Sequence, residues 1–491
     1  MTLEQVLRGV PLRGQLPEEL RAIEIRGLEY DSRRVEAGFL FFAFPGSRAD
    51  GRAFAQSAME KGAAAVASEL EAPADFRGPW IALQHGRRAL ALASSNFYGA
   101  PDRRLGLTGV TGTNGKTTTA FLIDSVLRTA GKTTALVGTI EYRLAGEVRS
   151  AVNTTPESLD LFRLFHELEQ RGGTHATMEV SSHALALART YGITFHTAVF
   201  TNLTRDHLDF HGDMDSYFAA KRLLFNPEGA PAPAWAVINH DDSYGRQIET
   251  ESQTIRYGFD DGADLRASRM EMSFDGLRFD IEYRGHTVEM RSPLVGRINV
   301  YNILAATGAA LSYGLDWETI QRGIANCRRV PGRFESVDAG QPFLVIVDYA
   351  HTDDALRSVI AVARELHPKR VITLFGCGGD RDRSKRPLMG MAAGQASDFV
   401  VLTSDNPRSE DPLAIMNDAL VGLRRYDVPH IVEPDRAKAI RLALEQADAG
   451  AIVILAGKGH ETCQVLKDRV IHFDDREVAR GALREMGFGR Q

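Results

Sequence analysis

Residues 105–120 read LGLTGVTGTNGKTTTA and decide the fold class of this chain. A short apolar run, LGLTGV, leads into a loop with two glycines, and the TTTAFLIDSVLRTAG that follows has apolar residues at helical spacing. A strand, a glycine loop and a helix in this order place backbone N–H groups and a helix N-terminus where they bind phosphate. The stretch therefore predicts an α/β protein that binds a nucleotide.

The loop also carries the side chains that phosphate chemistry needs. Lys116 is expected to neutralise the β- and γ-phosphates, and the Thr117 hydroxyl to ligate Mg²⁺. The strict G-x-x-x-x-G-K-[ST] spacing is not met, because Val110 stands where the first glycine belongs, so the loop is a shortened variant. An ordinary glycine turn is the alternative, but Lys-Thr at the helix start favours ATP. The predicted ATP-binding residues of the loop are Gly112, Thr113, Asn114, Gly115, Lys116, Thr117 and Thr118.

Further apolar runs of strand length recur along the chain: ATMEV, TAVF, WAVIN, FLVIV, VITLF, FVVL and AIVIL. Helical patterns lie between several of them, which is typical of buried parallel sheets. Residues 258–292 alternate polar and apolar side chains, which predicts antiparallel strands. The chain has 491 residues, enough for about three domains at ~150 residues each. Breaks in the pattern place their boundaries at 1–100, 101–332 and 333–491.

Composition excludes several classes of protein. The 58 Lys and Arg residues against 64 Asp and Glu leave a net charge of −6, which disfavours nucleic-acid binding. Cys327, Cys377 and Cys463 are far apart, which excludes a disulfide framework and fits a reducing compartment. The N-terminus is charged where a secretory signal needs an apolar stretch, and no segment approaches the ~20 apolar residues that span a bilayer. We expect a cytoplasmic protein without membrane insertion.

The middle of the chain offers candidates for a magnesium site. Glu179 ends an apolar strand in ATMEVSSHAL, and His207 lies in TNLTRDHLDFHGDM. A buried carboxylate and a histidine beside a triphosphate form a sensible Mg²⁺ site. Each residue alone is weak evidence for a metal site. A glutamate at a strand end is more often an ion-pair partner, and a lone histidine is more often a core or surface residue whose hydrogen bonds are satisfied. Lys221 lies in the helical pattern YFAAKRLLF, where a solvated lysine is the default.

After residue 332, four polar loops each follow an apolar strand. They are Asp348–His351, the GCGGDRDRSKRP stretch with Arg381, Asp405–Glu410, and Gly457–Glu461. Loops at the carboxyl ends of parallel strands share one edge, where open α/β sheets bind ligands. The alternative is that each loop is an ordinary solvated turn. That alternative accounts for any single loop, but it does not account well for four such loops in succession, so the pattern predicts a second ligand site.

These blocks, in order and over essentially the whole chain, resemble the Mur ligase family, ATP-dependent amide-forming enzymes of peptidoglycan precursor synthesis. The matching stretches are GTNGKTT, NTTPE (153–157), EVSSHAL, TNLTRDHLDFHGDM, GRINVYNILAA (296–306), PGRFE (331–335), DYAHT and GKGHE. The resemblance implies three domains: a UDP-sugar-binding domain, a central P-loop ATPase-like parallel sheet, and a C-terminal Rossmann-like domain that binds the amino acid.

Within the family, two blocks indicate the branch. The N-terminal DSRRV and GFLFFAFPGSRADG resemble the uridine-nucleotide domain of ligases that add the third residue, a block that folylpolyglutamate synthases should lack. DNPRSE resembles the loop for meso-2,6-diaminopimelate, whose distal carboxylate suits bidentate pairing with Arg408, assisted by Asn406. Lysine would instead bring an ammonium to that arginine. The resemblance implies transfer of meso-diaminopimelate to the D-Glu of UDP-MurNAc-L-Ala-D-Glu through an acyl phosphate, by a monomer.

The resemblance also implies roles for individual residues. Catalytic roles fall on Lys116, His207 and a carbamylated Lys221, and Mg²⁺ ligation on Thr117, Glu179, His207 and Lys221. Further ATP contacts fall on Asn302, Arg333 and Asp348. UDP-sugar contacts fall on Tyr30, Ser32, Ser47, Arg48, Ala49, Asn153, Thr154, Thr155, Ser181 and Arg189. Diaminopimelate contacts fall on Arg381, Asp405, Asn406, Pro407, Arg408, Gly457 and Glu461.

Two alternatives stay open at this point. A ligase of the same fold could use lysine or another amino acid. A nucleotide-regulated binding protein could use the phosphate loop as a switch, and would hydrolyse ATP independently of any amine. The four-loop ligand site argues against the switch, because a switch needs no second substrate pocket.

Overall fold

The computed structural model describes residues 1–46, 50–273 and 276–489. The chain divides into two compact units. Unit 1 comprises Met1–Arg266 and Asn302–Gly323, and unit 2 comprises Ala267–Tyr301 and the chain from Ile324 onward. Within the described ranges, no helix has the length and apolar character needed to cross a membrane.

The N-terminal part of unit 1 is a small parallel sheet with helices beside it. Its strands pair in chain order: β1 (Gly27–Glu29), β2 (Phe39–Phe42), β3 (Ala65–Ser68) and β4 (Trp80–Ala82). The helices are α1 (Leu3–Val6), α2 (Glu18–Arg21), α3 (Ala55–Glu60) and α4 (Gly86–Tyr98). Buried apolar side chains of α1, the sheet and α4 form one core cluster, which includes Leu3, Leu40 and Leu90. This burial attaches α4 to the sheet.

The rest of unit 1 is built on a larger sheet. Its strands are β5 (Gly106–Thr111), β6 (Thr134–Val137), β7 (Glu141–Leu144), β8 (Glu147–Ser150), β9 (His175–Glu179), β10 (Thr197–Phe200), β11 (Trp235–Asn239) and β12 (Gln253–Gly258). They are followed by β13 (Leu265–Ser273), which begins in unit 1 and passes into unit 2 at Ala267. They lie in the order β13-β12-β11-β10-β5-β9-β6-β7-β8. Pairing is parallel from β12 to β6 and antiparallel for β7 and β8. The strand of the phosphate loop, β5, therefore lies between β10 and β9.

Helices cover this sheet, which is why its central strands are apolar on both faces. They are α5 (Lys116–Thr129), α6 (Ser158–Gln170), α7 (Ser182–Ala186), α8 (Leu208–His211), α9 (Met214–Arg222), α10 (Arg297–Ser312) and α11 (Trp317–Asn326). Helix α5 packs on β5, β6 and β9. The predicted strand–loop–helix at residues 105–131 is confirmed as β5 and α5, and YFAAKRLLF begins within α9.

Unit 2 contains a hairpin and a second sheet. The hairpin strands β14 (Gly276–Tyr283) and β15 (His286–Ser292) are antiparallel, as the alternation predicted. The sheet strands are β16 (Glu335–Ser336), β17 (Leu344–Asp348), β18 (Arg370–Cys377), β19 (Phe399–Ser404), β20 (His430–Glu433) and β21 (Ala451–Ala456); β22 (Cys463–Val465) and β23 (Val470–His472) form a separate pair. The helices are α12 (Asp353–Glu365), α13 (Lys385–Ala396), α14 (Pro412–Leu423), α15 (Arg436–Glu445) and α16 (Asp475–Glu485).

The strand order of the unit 2 sheet brings the four predicted loops to one edge. The order is β16-β17-β21-β18-β19-β20, and β17, β21, β18 and β19 are neighbours with parallel pairing. Because parallel neighbours end at the same side, the loops after these four strands lie next to one another. The α/β fold class and the parallel strands predicted from the sequence are confirmed.

Candidate active site

The loop between β5 and α5 needs glycine at two positions. Gly112 has φ +150° and Gly115 has φ +85°, conformations that other residues rarely adopt. A methyl group at Gly115 would overlap the Asn302 side-chain oxygen, and one at Gly112 would overlap the Thr201 hydroxyl. Glycine at these two positions therefore lets the loop pack closely against Thr201 and Asn302. Helix α5 begins at Lys116, the residue after Gly115.

Two residues that the sequence prediction missed hold this loop from the neighbouring strand β10. The backbone N–H of Asn114 donates to Asn202 Oδ1 (2.9 Å), and the Thr201 hydroxyl donates to the Asn114 carbonyl (2.6 Å). Thr201 and Asn202 open the TNLTRDH block directly after β10. The signal was their position after a buried strand, but only the strand order β10-β5 makes them neighbours of the loop.

Thr117 and Glu179 are brought together as predicted. The Thr117 hydroxyl donates to Glu179 Oε2 (2.9 Å) at the end of β9. Glu179 also accepts from the backbone N–H (2.8 Å) and hydroxyl (3.1 Å) of Thr139. The carboxylate is buried, and these donors compensate its charge.

Lys116 and Lys221 converge on one backbone atom. Their ammonium groups donate to the Gly112 carbonyl at 2.9 and 2.8 Å. Lys221 is 1% exposed and lies over the Tyr217 ring, with Nζ 4.5 Å from the ring centroid. Burial and then the nearby charge of Lys116 hold the pKa of Lys221 well below its usual value, against the pull of Asp206. The lowered pKa makes the neutral amine of Lys221 easier to form than that of an exposed lysine.

His207 precedes α8 with φ +53°. Its Nε2 is 3.4 Å from Asp206 Oδ2, and its ring centroid is 4.8 Å from that of His183. The described ranges contain no group of three His, Cys, Asp or Glu residues that could hold a metal. Mg²⁺ in phosphate sites takes one or two carboxylates, with phosphate and water for the rest. The oxygens of Thr117 and Glu179 fit that donor set, whereas an unmodified Lys221 ammonium does not.

Residues predicted for the UDP-sugar adjoin Glu179. The Thr154 hydroxyl is 3.0 Å from that of Thr139, and the Thr155 hydroxyl donates to the Glu179 carbonyl (2.9 Å). The Ser181 N–H donates to the Thr155 hydroxyl (3.1 Å), and Arg189 Nη1 donates to the Thr155 carbonyl (2.9 Å). Nearby, the Asn153 carbonyl accepts from the Tyr142 hydroxyl (2.5 Å). Hydrogen bonds thus link Thr154, Thr155, Ser181 and Arg189 around the end of β9, and Asn153 precedes them in the chain.

The remaining UDP-sugar candidates are in the N-terminal part of unit 1. The Tyr30 hydroxyl donates to Asp160 Oδ2 (2.6 Å), and burial together with this carboxylate raises the pKa of Tyr30. The Ser32 carbonyl accepts from Lys61 Nζ (2.8 Å). Ser47, Arg48 and Ala49 lie outside the described residues.

An ion triad around the buried Glu157 was missed by the sequence prediction. Glu157 Oε1 accepts from Arg87 Nη1 at 2.5 Å and lies 2.9 Å from Arg189 Nε. Glu157 is the last residue of the quoted NTTPE block, but Arg87 is 70 residues away in α4. A partner this distant in the chain leaves no local signal.

In unit 2, the loop after β17 fixes Asp348. Its carboxylate accepts from the backbone N–H of Phe334 (2.7 Å) and of Ala350 (2.9 Å). Desolvation raises the pKa of Asp348, and the charge of Arg333 opposes that rise. The Arg333 guanidinium is 5.0 Å from the centroid of the Tyr349 ring. The two predicted nucleotide residues of this unit are therefore close together.

The predicted amino-acid residues meet at the loops after β18, β19 and β21. Asn406 Nδ2 donates to Glu461 Oε2 (2.8 Å), and Arg408 Nη1 donates to the Gly379 carbonyl (2.7 Å). Gly457 has φ +116°, and a methyl group there would be 2.6 Å from Asp405 Oδ2. The remaining two candidates, Pro407 and Arg381, are in the same loops. The Pro407 carbonyl accepts a hydrogen bond from the Glu410 N–H. The Arg381 side chain is exposed, and its Nη1 donates to the Asp380 carbonyl.

Lys458 was overlooked, although its neighbours Gly457 and Glu461 were predicted. It is 0% exposed, and its Nζ is 3.1 Å from Asn406 Oδ1 and 3.2 Å from Glu461 Oε2. Asp405 Oδ1 is 3.9 Å away. A lysine in a glycine loop after a buried strand was the available signal, but its partners come from the loop after β19.

Three family models match successive parts of the chain. The Mur ligase family catalytic domain matches residues 24–98, the Mur ligase middle domain 110–310, and the Mur ligase glutamate ligase domain 332–459.

Similar proteins span almost the full length. A "UDP-N-acetylmuramoyl-L-alanyl-D-glutamate--2,6-diaminopimelate ligase" of Solibacter usitatus (strain Ellin6076) is 65% identical, over 99% of each chain. A protein with the same name from Geobacillus thermodenitrificans (strain NG80-2) is 47% identical, over 94% of this chain and 95% of the relative. A solved structure of a ligase of that name is 33% identical, with a TM-score of 0.71 and 99% of each chain covered.

Proposed function

The chain belongs to the Mur ligase family, and from this membership we propose that it joins meso-2,6-diaminopimelate to the D-Glu of UDP-MurNAc-L-Ala-D-Glu with ATP. It is an ATP-dependent amide-forming ligase of peptidoglycan synthesis. The observation that supports the choice of amino acid is the convergence of Arg408, Asn406 and Glu461 at the carboxyl edge of the unit 2 sheet. A guanidinium for a carboxylate and a carboxylate for an ammonium match the distal end of diaminopimelate.

The reaction follows from carboxylate chemistry. An oxygen of the D-Glu carboxylate attacks the γ-phosphorus of ATP, the bond to ADP breaks, and an acyl phosphate forms. The amine nitrogen of diaminopimelate then attacks the carbonyl carbon, inorganic phosphate leaves, and the amine loses its proton. The protein contributes positioning and charge neutralisation.

In unit 1, the loop Gly112–Thr118 binds the ATP phosphates through backbone N–H groups, the N-terminus of α5 and Lys116. Asn302, which lies against Gly115 of the loop, Arg333 and Asp348 are the further ATP contacts of the proposal. Thr117, Glu179 and His207 would hold Mg²⁺, which would supply positive charge to neutralise the phosphate oxygens. The Thr117–Glu179 contact supports this assignment.

Lys221 carries a carbamate in this proposal. A neutral amine reacts with CO₂ and an ammonium does not, so the lowered pKa of Lys221 favours the modification. The carbamate replaces a cation with an anionic oxygen donor beside Lys116, which turns like-charge repulsion into attraction. It also gives Lys221 an oxygen that suits Mg²⁺.

The UDP-sugar is bound in unit 1 by the residues around the end of β9, Asn153–Thr155, Ser181 and Arg189, with Tyr30, Ser32 and residues 47–49. Their contiguity with Glu179 supports a site that places the D-Glu carboxylate near the ATP phosphates. The domain boundaries 1–100, 101–332 and 333–491 belong to the same proposal, as do a monomeric enzyme and a cytoplasmic reaction.

Phosphate release from ATP in the presence of UDP-MurNAc-L-Ala-D-Glu tests the proposal. With meso-diaminopimelate we expect release, and with L-lysine we expect release at background level. Release with lysine would keep the ligase chemistry and overturn the amino-acid assignment. Release that is independent of any amine would instead indicate the nucleotide switch.

A further inference from the structure

Lys458 is a buried cation in the loop after β21, and it contacts residues of the loop after β19. It follows β21, and its partners Asp405 and Asn406 follow β19, separated from β21 in the sheet by β18. The ammonium is 3.2 Å from Glu461 Oε2 and 3.9 Å from Asp405 Oδ1. A fully buried charge is costly unless it is paired, so this lysine and these carboxylates depend on one another.

The contacts of Asn406 fix which way its amide points. Its Oδ1 accepts from Lys458 Nζ (3.1 Å) and from the Val465 N–H (3.0 Å), so both lone pairs are used. Its Nδ2 donates one hydrogen to Glu461 (2.8 Å) and keeps a second. The flipped amide would set an NH₂ group against two donors and an oxygen against a carboxylate. Asn406 can therefore offer a ligand only an N–H.

The contacts of Glu461 likewise distinguish its two carboxylate oxygens. Oε2 accepts from Asn406 and from Lys458, which leaves Oε1 as the acceptor for a ligand. Without Lys458, Asn406 would lose a constraint on its orientation, and Asp405 and Glu461 would lose the ammonium group that lies within 4 Å of both carboxylates. Their negative charges would then repel the carboxylates of an incoming amino acid more strongly.

We propose that Lys458 is a positioning residue for the amino-acid substrate: it fixes Asn406 as a hydrogen-bond donor to a substrate carboxylate and Glu461 as an acceptor for a substrate ammonium. The inference rests on the proposed ligase function and goes beyond it, because Lys458 acts through Asn406 and Glu461. It predicts a defect confined to one of the three substrates.

The test compares Lys458→Met with Lys438→Met in the full-length enzyme. Methionine keeps the length of the buried stem and removes the charge and the donors. We expect the KM for meso-diaminopimelate to rise at least about tenfold, with the KM values for ATP and UDP-MurNAc-L-Ala-D-Glu within about twofold of wild type. Lys438, an exposed lysine of α15, is the matched control and should change none of the three. An unchanged diaminopimelate KM, or an equal rise in all three, would overturn the inference.

If Lys458→Met does not fold, a second variant, Asn406→Asp, tests the same inference. Asn406→Asp retains an oxygen for Lys458 and Val465 but replaces the donating NH₂ with an oxygen facing Glu461. We expect a raised diaminopimelate KM that partly recovers at lower pH, as the introduced carboxyl gains a proton; a wild-type KM would contradict the assigned polarity. If the wild-type enzyme shows no diaminopimelate-dependent release, the proposed function and the inference fail together. Normal wild-type release with unaltered KM in both variants defeats the inference alone.

Discussion

Two lysines of this protein are buried to the same degree and have opposite surroundings. Lys221 in unit 1 is 1% exposed, and Lys458 in unit 2 is 0% exposed. Lys221 contacts a carbonyl and an aromatic face, and its strongest electrostatic neighbour is another lysine. Lys458 has Glu461 at 3.2 Å and Asp405 at 3.9 Å. Burial alone therefore does not define the role of a lysine; its neighbours do.

The difference extends to the sites around these lysines. The phosphate loop is built from backbone groups, glycines and hydroxyls, and Lys221 of α9, whose pKa burial lowers, contacts it at the Gly112 carbonyl. The amino-acid loops contain charges that compensate one another, as do Arg436 and Asp475, a fully buried pair at the starts of α15 and α16. We infer that the first arrangement favours reactivity of Lys221 and the second favours fixed orientation of Asn406 and Glu461.

The largest effect on activity is expected for Lys221→Met, which removes the amine that we propose to be carbamylated. Turnover should fall about 10³-fold, the size of effect seen when one preorganised electrostatic group is lost. Incubation with ¹³C-bicarbonate should give a carbamate NMR signal in the wild type and in Lys458→Met, and none in Lys221→Met. A signal that survives in Lys221→Met would place the modification elsewhere.

The next effect concerns the compensated charges of unit 2. Asp475→Asn leaves the Arg436 guanidinium buried without its carboxylate, since the wild-type pair is bidentate at 2.8 and 2.6 Å. We expect the free energy of unfolding to fall by about 3 kcal/mol, measured by urea denaturation. The control is Glu485→Gln, which breaks a mostly exposed pair with Arg441 and should cost less than about 1 kcal/mol. Equal losses would show that burial adds nothing to the pairing.

A smaller effect is expected for Arg408→Ala, which removes a cation from the amino-acid loops. The kcat/KM for meso-diaminopimelate should fall about 30-fold, or ~2 kcal/mol, for the loss of a charge-assisted hydrogen bond. Arg408→Lys, which keeps the charge without the planar fork, should recover only part of it. Equal activity of Arg408→Ala and wild type would remove this residue from the site.

The smallest effect is a pH dependence of stability. In unit 1, burial lowers the pKa of His175 to about 4, and its ring centroid is 4.9 Å from that of Tyr313. The unfolded chain binds this proton first, so stability should fall as the pH drops from about 6.5 to 4, by about 1–2 kcal/mol for a partly solvated ring. His175→Phe should flatten this part of the urea-denaturation profile. An unchanged slope would assign the acid sensitivity to other groups.

His472 in unit 2 provides the opposite sign for comparison. Its hydrogen bond to Glu477 raises its pKa above the usual value. Its stabilising contribution is therefore present below the unfolded pKa and is lost as the pH rises through the folded pKa. His472→Gln should remove stability only on the acidic side, the reverse of His175→Phe.

The sequence was a good guide to whatever is local in the chain. The strands, the phosphate loop and the resemblance to the family could be read from short stretches, because a strand–glycine–helix sequence constrains its own backbone. Thr117 and Glu179 were both named as Mg²⁺ candidates from the sequence, but their contact depends on the placement of β9 beside β5. The roles of the individual site residues stay predictions.

Only the tertiary structure decided which distant residues meet. The sheet order β10-β5 makes Thr201 and Asn202 supports of the phosphate loop, and the order β21-β18-β19 brings Lys458 to Asn406. No local pattern encodes these pairings, because each depends on how strands far apart in the chain are ordered. The sequence by itself determined the elements and the chemical groups that they carry. The fold determined the electrostatic surroundings of each group, and through them which buried lysine has a lowered pKa and which is paired with carboxylates.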